Sequence, residues 1–328
     1  MKKTQKRAPG RGTSGAALAV TTEEDDTGSV RPRARPRPLV RRALPETHGP
    51  ATASGARGGR DWAVVEGDAE NTLKKFPRGW FDCVVTSPPY YWQRDYETEG
   101  QIGQEDTVEA YVARLVGVFH EVKRTLKSRG VAFLVLGDTY YSGKGQPRGA
   151  DRKQVWRGVA RRKYRAVDRP GFGLPRKTMI GIPWRVALAL QADGWRIRSA
   201  VTWTKPKPLA EPSVRDRPWS TSEWVFILSR STDYFFNRAG LEGEEDVWTI
   251  QARSPGRAYR HAAPFPEALV ERCLACGCAP GGRVLDPFAG SGTTLGVALR
   301  RGSPAVGVEL NPAYCAMAAR RITRGGAR

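Results

Sequence analysis

Two short segments carry the residues whose types and spacing best suit chemistry. The first is Thr86-Ser87-Pro88-Pro89-Tyr90, at the end of an apolar run. Two successive prolines remove two backbone donors and fix φ, so the segment cannot extend a sheet ladder. Its carbonyls are left pointing out at the strand's C-terminal end, the edge where open α/β sheets bind ligands. An exocyclic amine on an aromatic ring is a poor nucleophile, because its lone pair is delocalised into the ring. A rigid pair of acceptors can bind both amino hydrogens and favour a tetrahedral nitrogen whose lone pair faces an electrophile. Ser87 Oγ and the Pro88 carbonyl suit that task, and Tyr90 can stack on the ring face. A bare Pro-Pro-Tyr, standing alone, reads more simply as a strand-to-loop turn with an exposed tyrosine.

The second segment is Asp286-Pro287-Phe288-Ala289-Gly290-Ser291-Gly292-Thr293-Thr294, where a strand runs into a Gly-rich turn that opens a helix. Glycines let the backbone approach a ligand, and the helix start offers free N–H groups. Glu309 ends the next strand, 23 positions after Asp286. An acid at about 20 residues from such a turn suits a ribose diol. Any nucleotide-binding α/β protein, a dehydrogenase included, shares these features. The turn lacks the third glycine of a dinucleotide fingerprint.

The elements around these segments alternate. Strands are expected at 62–66, 81–86, 131–136, 197–203, 224–228, 283–286 and 305–309. Helices are expected through Leu73, over Thr107–Leu126 with Gly130 as the stop, over Pro183–Gln191, from Pro264-Phe265-Pro266-Glu267 onward, and over Thr293–Arg301. Val131–Leu136 is a continuous apolar run, as in a strand buried on both faces. The pattern predicts an α/β fold, a doubly wound and mostly parallel Rossmann-like sheet.

The chain has 328 residues with a formal charge of +21, a balance that suggests a polyanionic partner. Residues 1–59, rich in Arg, Pro, Gly and Ser, read as a disordered basic arm that either adds non-specific affinity for nucleic acid or does nothing. The ordered domain is expected over 60–328. Within it, 143–178 is a basic insertion with twelve basic and two acidic residues. Arg148, Arg152, Lys153, Arg157, Arg161, Arg162 and Lys163 are its candidate phosphate contacts, with Trp156 and Tyr164 interleaved; a solvated basic loop is the plain alternative. Residues 237–260 read as irregular and polar.

Five cysteines exclude a full internal disulfide set and fit reduced thiols in a cytoplasm. Cys273, Cys276 and Cys278 lack an evident fourth zinc ligand, so small buried thiols are expected and no metal. No apolar run reaches the roughly 20 residues of a membrane span, and the patch Ala16–Val20 is too short for a secretory signal.

Ser-Pro-Pro-Tyr together with Asp-Pro-Phe-Ala-Gly-Ser-Gly-Thr-Thr, in this order, resembles the β-group of the DNA N4-cytosine/N6-adenine methyltransferases. The resemblance continues through Gly67-Asp68-Ala69, Gly181-Ile-Pro-Trp-Arg-Val-Ala, Trp203-Thr-Lys-Pro, Ser213-Val-Arg-Asp-Arg-Pro and Pro264-Phe-Pro-Glu-Ala-Leu, over residues 61–323. It implies an S-adenosylmethionine site made by Asp68, Phe265, Pro266, Asp286, Pro287, Phe288, Ala289, Gly290, Ser291, Gly292, Thr293, Glu309 and Asn311. Asp286, Phe288, Gly290 and Gly292 would line the methionine end, Glu309 would hold the ribose, and Asp68 would face the adenine. It further implies a base flipped onto Ser87, Pro88, Pro89 and Tyr90, with direct methyl transfer to nitrogen. Serine before Pro-Pro-Tyr resembles the N4-cytosine members, although a neutral hydroxyl can serve an adenine amine too. Duplex DNA is the implied partner, with Lys205 a further contact and 237–260 lying where such enzymes carry target recognition. A cytoplasmic, nucleoid-associated enzyme is expected, and any restriction endonuclease would be a separate protein. RNA or protein methylation and an inactive DNA-binding protein are the competing readings. Two departures stand out: Lys207 where the family often has Asn, and Ser222-Glu223 where it often has His-Glu. These are expected to alter local hydrogen bonds or DNA contact rather than methyl transfer.

Overall fold

A computed structural model describes residues 52–145, 165–207, 211, 214–252 and 266–324. Nine strands of the described residues form one sheet: β1 (Ala53–Arg57), β2 (Arg60–Glu66), β3 (Phe81–Thr86), β4 (Leu126–Leu136), β5 (Arg196–Thr204), β6 (Ser222–Ser229), β7 (Val247–Thr249), β8 (Val284–Asp286) and β9 (Ala305–Glu309). Their order is β1-β2-β9-β8-β3-β4-β6-β5-β7. The block from β2 to β4 is parallel throughout. β6 runs antiparallel to both β4 and β5, and β7 is parallel to β5. The doubly wound, mostly parallel sheet expected from the alternation is therefore present.

Among the described residues six helices cover the sheet: α1 (Ala69–Leu73), α2 (Val108–Thr125), α3 (Ile182–Ala192), α4 (Glu267–Gly277), α5 (Thr293–Arg300) and α6 (Pro312–Thr323). The apolar run of β4 shows how. Ala132, Leu134 and Leu136 pack into a cluster with Leu73, Tyr111, Phe119 and Val186 from α1, α2 and α3. Val131, Phe133 and Val135 point the other way, among Leu269, Leu274, Leu295 and Ile322 of α4, α5 and α6. With both faces covered, every position from Val131 to Leu136 is apolar. The chain leaves β3 through α2 toward β4, and leaves β8 through α5 toward β9. Because β3 and β8 are neighbours, the connections diverge between them. That divergence opens a crevice at the carboxyl ends of the strands.

Five details differ from the sequence reading. Folded structure begins before residue 60, because β1 pairs with β2 as a hairpin. Its turn is Gly58-Gly59, both at positive φ, and its small residues gave no hydrophobic signal. α2 ends at Thr125, with Leu126 as its C-cap, close to the expected bound at Leu126, but Gly130 is not what stops it. Leu126 already pairs with Phe81, and the register then slips to Cys83–Val131, so Gly130 sits in an irregular stretch of the strand. Segment 237–252 is not irregular throughout: Arg238–Leu241 is a 3₁₀ turn, and β7 buries Trp248 at the sheet edge. α4 starts at Glu267 with Pro266 as its N-cap, and α6 was absent from the expected pattern. Among the described residues no helix is long and apolar enough to cross a membrane.

Candidate active site

The two chemistry-bearing segments end neighbouring strands and meet at the crevice. A cleft of about 920 Å³, partly open to solvent, is lined by Ser87 and Pro89 from the end of β3 and by Pro287, Phe288, Ala289, Gly290, Ser291 and Thr293 after β8. Gly67 and Asp68 after β2, Glu309 at the end of β9, and Leu310 and Asn311 after it complete its floor. Asp68 caps α1, its carboxylate accepting from Asn71 N at 2.9 Å.

Asp286 does not line this cleft. It is 1% exposed and accepts from Thr86 Oγ1 at 2.7 Å, Thr294 Oγ1 at 2.7 Å and Phe288 N at 3.1 Å. Burial raises its pKa to about 6 against the opposing effect of those hydrogen bonds. The side chain thus clamps the Gly-rich turn to the end of β3 from beneath. Gly292 also lies behind the cleft, at φ +77°. A Cβ there would come 2.9 Å from Ala318 Cβ, so the turn can pack on α6 only as glycine. Gly290 N donates to Glu309 Oε2 at 2.8 Å, and Asn311 N donates to Glu309 Oε1 at 2.8 Å. Burial pushes the Glu309 carboxyl up from its ordinary value. Glu309 lines the cleft, and a carboxylate has lone pairs beyond those taken by Gly290 and Asn311.

The roof was not foreseen in the sequence. Tyr96, Thr98, Gly100, Gln101 and Ile102, on the loop after Tyr90, line the cleft together with Tyr314 of α6. Asn311 joins roof to floor. Its Oδ1 caps α6 by accepting from Ala313 N at 2.9 Å, while Nδ2 donates to Tyr96 O at 3.2 Å and Thr98 Oγ1 at 3.0 Å. Arg114 of α2 holds the far side through Gly100 O at 2.8 Å and Gln101 O at 3.0 Å. These loop residues carry no motif, and only a folded chain brings them over the Gly-rich turn.

At the rim, Tyr111 Oη donates to Pro89 O at 2.9 Å. Ser87 Oγ donates to Tyr90 Oη at 3.3 Å, and Tyr90 Oη donates to Glu223 Oε2 at 2.6 Å. Lys205 Nζ pairs with Glu223 Oε1 and lies 4.7 Å from the Trp203 ring centroid. Burial, and then the Glu223 charge, push the Tyr90 phenol well above its ordinary value. Glu223 therefore touches the rim motif directly, where the sequence had suggested only a peripheral departure. Lys205 spends its charge on this carboxylate, so it is not an unengaged phosphate contact.

The remaining candidates fall elsewhere. Phe265, Arg148, Arg152, Lys153, Arg157, Arg161, Arg162 and Lys163 lie outside the described residues, as do Trp156, Tyr164 and 253–260. The described flanks of the basic insertion use their charges internally: Arg165 with Asp168 at 2.7 Å, Arg169 with Asp106 at 2.7 Å, and Lys177 with Asp216 at 2.5 Å. Cys273, Cys276 and Cys278 are buried beside β3, and burial pushes the Cys276 thiol up to about 12.

A mostly parallel sheet with a Gly-rich turn, an acid at the end of the next strand and a Pro-Pro-Tyr rim at one switch point is the arrangement of a methyltransferase-class enzyme. Residues 81–320 match the DNA methylase family, and the chain belongs to it. It is 40% identical to the type II methyltransferase M.SmaI of Serratia marcescens over 277 residues, covering 81% of this chain and 92% of that one. It is 41% identical to M.XycI of Xanthomonas campestris pv. cyanopsidis over 272 residues, covering 80% and 88%. Among solved structures it is similar to TTHA0409 of Thermus thermophilus complexed with S-adenosyl-L-methionine, at 26% identity and a TM-score of 0.56, covering 80% and 95%. It shares its fold with the cytosine-N4-specific PvuII DNA methyltransferase, at 22% identity and a TM-score of 0.61, covering 79% and 86%.

Proposed function

We propose that this chain methylates the exocyclic N4 of cytosine in duplex DNA, on a base turned out of the helix, with S-adenosylmethionine as donor. One observation carries the reading: Ser87, the amine acceptor, lines the same cleft as Gly290 and Glu309. The cleft fits the donor. Glu309 has lone pairs for ribose hydroxyls, Phe288, Tyr96 and Tyr314 offer aromatic surface for an adenine, and Gly290 leaves the turn open to a ligand. When bound, S-adenosylmethionine supplies an electrophilic methyl group on a sulfonium sulfur.

The chain's own residues do the rest. Ser87 Oγ and the Pro88 carbonyl accept the two amino hydrogens and hold the nitrogen lone pair toward the donor. Tyr90 stacks on the base, and Tyr111, bonded to the Pro89 carbonyl, fixes the rim. Serine at this position favours cytosine on the family resemblance. The basic insertion grips phosphates, in the cytoplasm, and a cognate endonuclease is a separate protein. The test is transfer of tritiated methyl groups to varied duplex DNA, digestion to nucleosides, and sequencing to map the modified position. Label in N4-methyldeoxycytidine supports the reading. Label in N6-methyldeoxyadenosine replaces the base, and label accepted only by RNA or protein overturns the substrate.

A further inference from the structure

Ser87, Tyr90, Glu223 and Lys205 form a hydrogen-bonded chain whose direction is fixed from its far end. Lys205 can only donate, and it occupies Glu223 Oε1. The carboxylate can only accept, so Tyr90 Oη must give its single proton to Glu223 Oε2 across 2.6 Å. The Tyr90 oxygen is then an acceptor for Ser87 Oγ at 3.3 Å. Ser87 has one proton, and it is committed. What Ser87 presents to the cleft is lone pairs alone. Packing supports the arrangement: a Cβ at Gly137 would lie 2.7 Å from the Tyr90 ring and 3.4 Å from the Glu223 carboxyl carbon, so glycine leaves room for the pair to meet. The carboxylate and ammonium side chains are each only 19% exposed, which limits competition from water.

We propose that Glu223, held by Lys205, is a positioning residue that sets the polarity of Ser87, so that the rim accepts an amino group and rejects a carbonyl at the same ring position. The proposal rests on the methyltransferase reading and deepens it, by giving the reason this rim selects an amine. A carbonyl oxygen brought against Ser87 would meet lone pairs on both sides, and a desolvated polar atom without a partner is costly.

The substitution Glu223→Gln reverses the chain in a defined way. Lys205 requires an oxygen, so the glutamine amide turns its carbonyl to Lys205 and its NH₂ to Tyr90. Tyr90 then accepts from the amide and donates to Ser87, and the Ser87 proton faces the cleft. Lys205→Met leaves a carboxylate that still only accepts, so polarity is kept. In the Lys205→Met, Glu223→Gln double variant the amide is free to turn its oxygen to Tyr90, and polarity returns.

The experiment measures binding of two duplexes of the mapped target sequence, with S-adenosylhomocysteine in place of the methyl donor. One carries the amino base and the other its carbonyl counterpart, uracil for cytosine or hypoxanthine for adenine. The cost of turning each base out of the helix is the same for every protein, so it cancels when preferences are compared. The expected result is that Glu223→Gln lowers the amino-over-carbonyl preference at least fivefold, roughly one buried hydrogen bond's worth. Lys205→Met keeps the preference, and the double variant regains most of it. Cofactor binding by each variant checks that it is folded. A preference unchanged in folded Glu223→Gln overturns the proposal, as does a double variant no different from Glu223→Gln. Failure of the parent reading looks different: the unaltered protein then methylates no DNA.

Discussion

Tyr90 Oη lies 2.6 Å from Glu223 Oε2, although 133 positions separate the two residues in the chain. The contact joins the end of β3 to the start of β6 across the intervening strand β4, beside Gly137, the residue that follows β4. Gly137→Ala should therefore push the Tyr90 ring off Glu223. Overpacking of this kind costs about 1–3 kcal/mol. The single-turnover methylation rate should fall at least tenfold, with cofactor affinity nearly unchanged. Rapid-quench kinetics and calorimetric titration check the two halves.

Pro89→Ala and Tyr90→Ala should abolish turnover and leave cofactor binding largely intact, because the Gly-rich turn and Glu309 reach the cleft from other strands. Pro89→Ala frees a backbone N–H and loosens φ where the carbonyl must stay fixed against Tyr111. Methyl transfer and equilibrium binding of S-adenosylmethionine, measured on one preparation, test this. Full turnover in either variant contradicts the roles given to the rim.

Asn311→Asp separates capping from roof closure. The aspartate can still accept from Ala313 N, but it cannot donate to Tyr96 O or Thr98 Oγ1. Loss of these bonds, worth roughly 1–2 kcal/mol together, should raise the cofactor Kd about 5- to 30-fold. The melting temperature of the ligand-free protein should fall by only a few degrees, because the cap on α6 is kept.

Asp286 gives a pH signature. Its folded pKa of about 6 lies above the ordinary value of 3.8. A raised carboxyl favours folding while protonated, below the unfolded pKa, and that contribution is lost as pH rises through the folded one. Relative to Asp286→Asn, which keeps an acceptor and carries no charge, the unaltered protein should lose on the order of 2–3 kcal/mol of stability between pH 4 and pH 7. Urea unfolding of both proteins across that range checks the slope. Parallel pH profiles would show that Asp286 does not titrate there.

The sheet was legible because its central strands are buried on both faces and its helices keep a 3.6 period, so patterning alone located β2 to β4 and α2 to α5. β1 was not, since Ala53–Arg57 pairs through its backbone and carries no apolar side chain of note. β7 escaped for a related reason: three residues hold one buried tryptophan, too short for a period. At the site, Ser87, Gly290 and Glu309 were legible as motifs, because each needs a particular residue type at a particular strand end. Asp286 was placed at the ligand, yet its carboxylate is consumed by Thr86, Thr294 and Phe288. Tyr96, Thr98 and Tyr314 were missed because only tertiary folding brings them over the turn. Glu223 was noticed as a departure, but its contact with Tyr90 depends on strand order, which no local pattern encodes.

The most direct test of the central claim is mass spectrometry of nucleosides from DNA carried through one turnover with the unaltered protein and with Pro89→Ala. The expected products are N4-methyldeoxycytidine with the first and no modified base with the second. A methyl group on cytosine carbon 5, or equal product from Pro89→Ala, would contradict the claim.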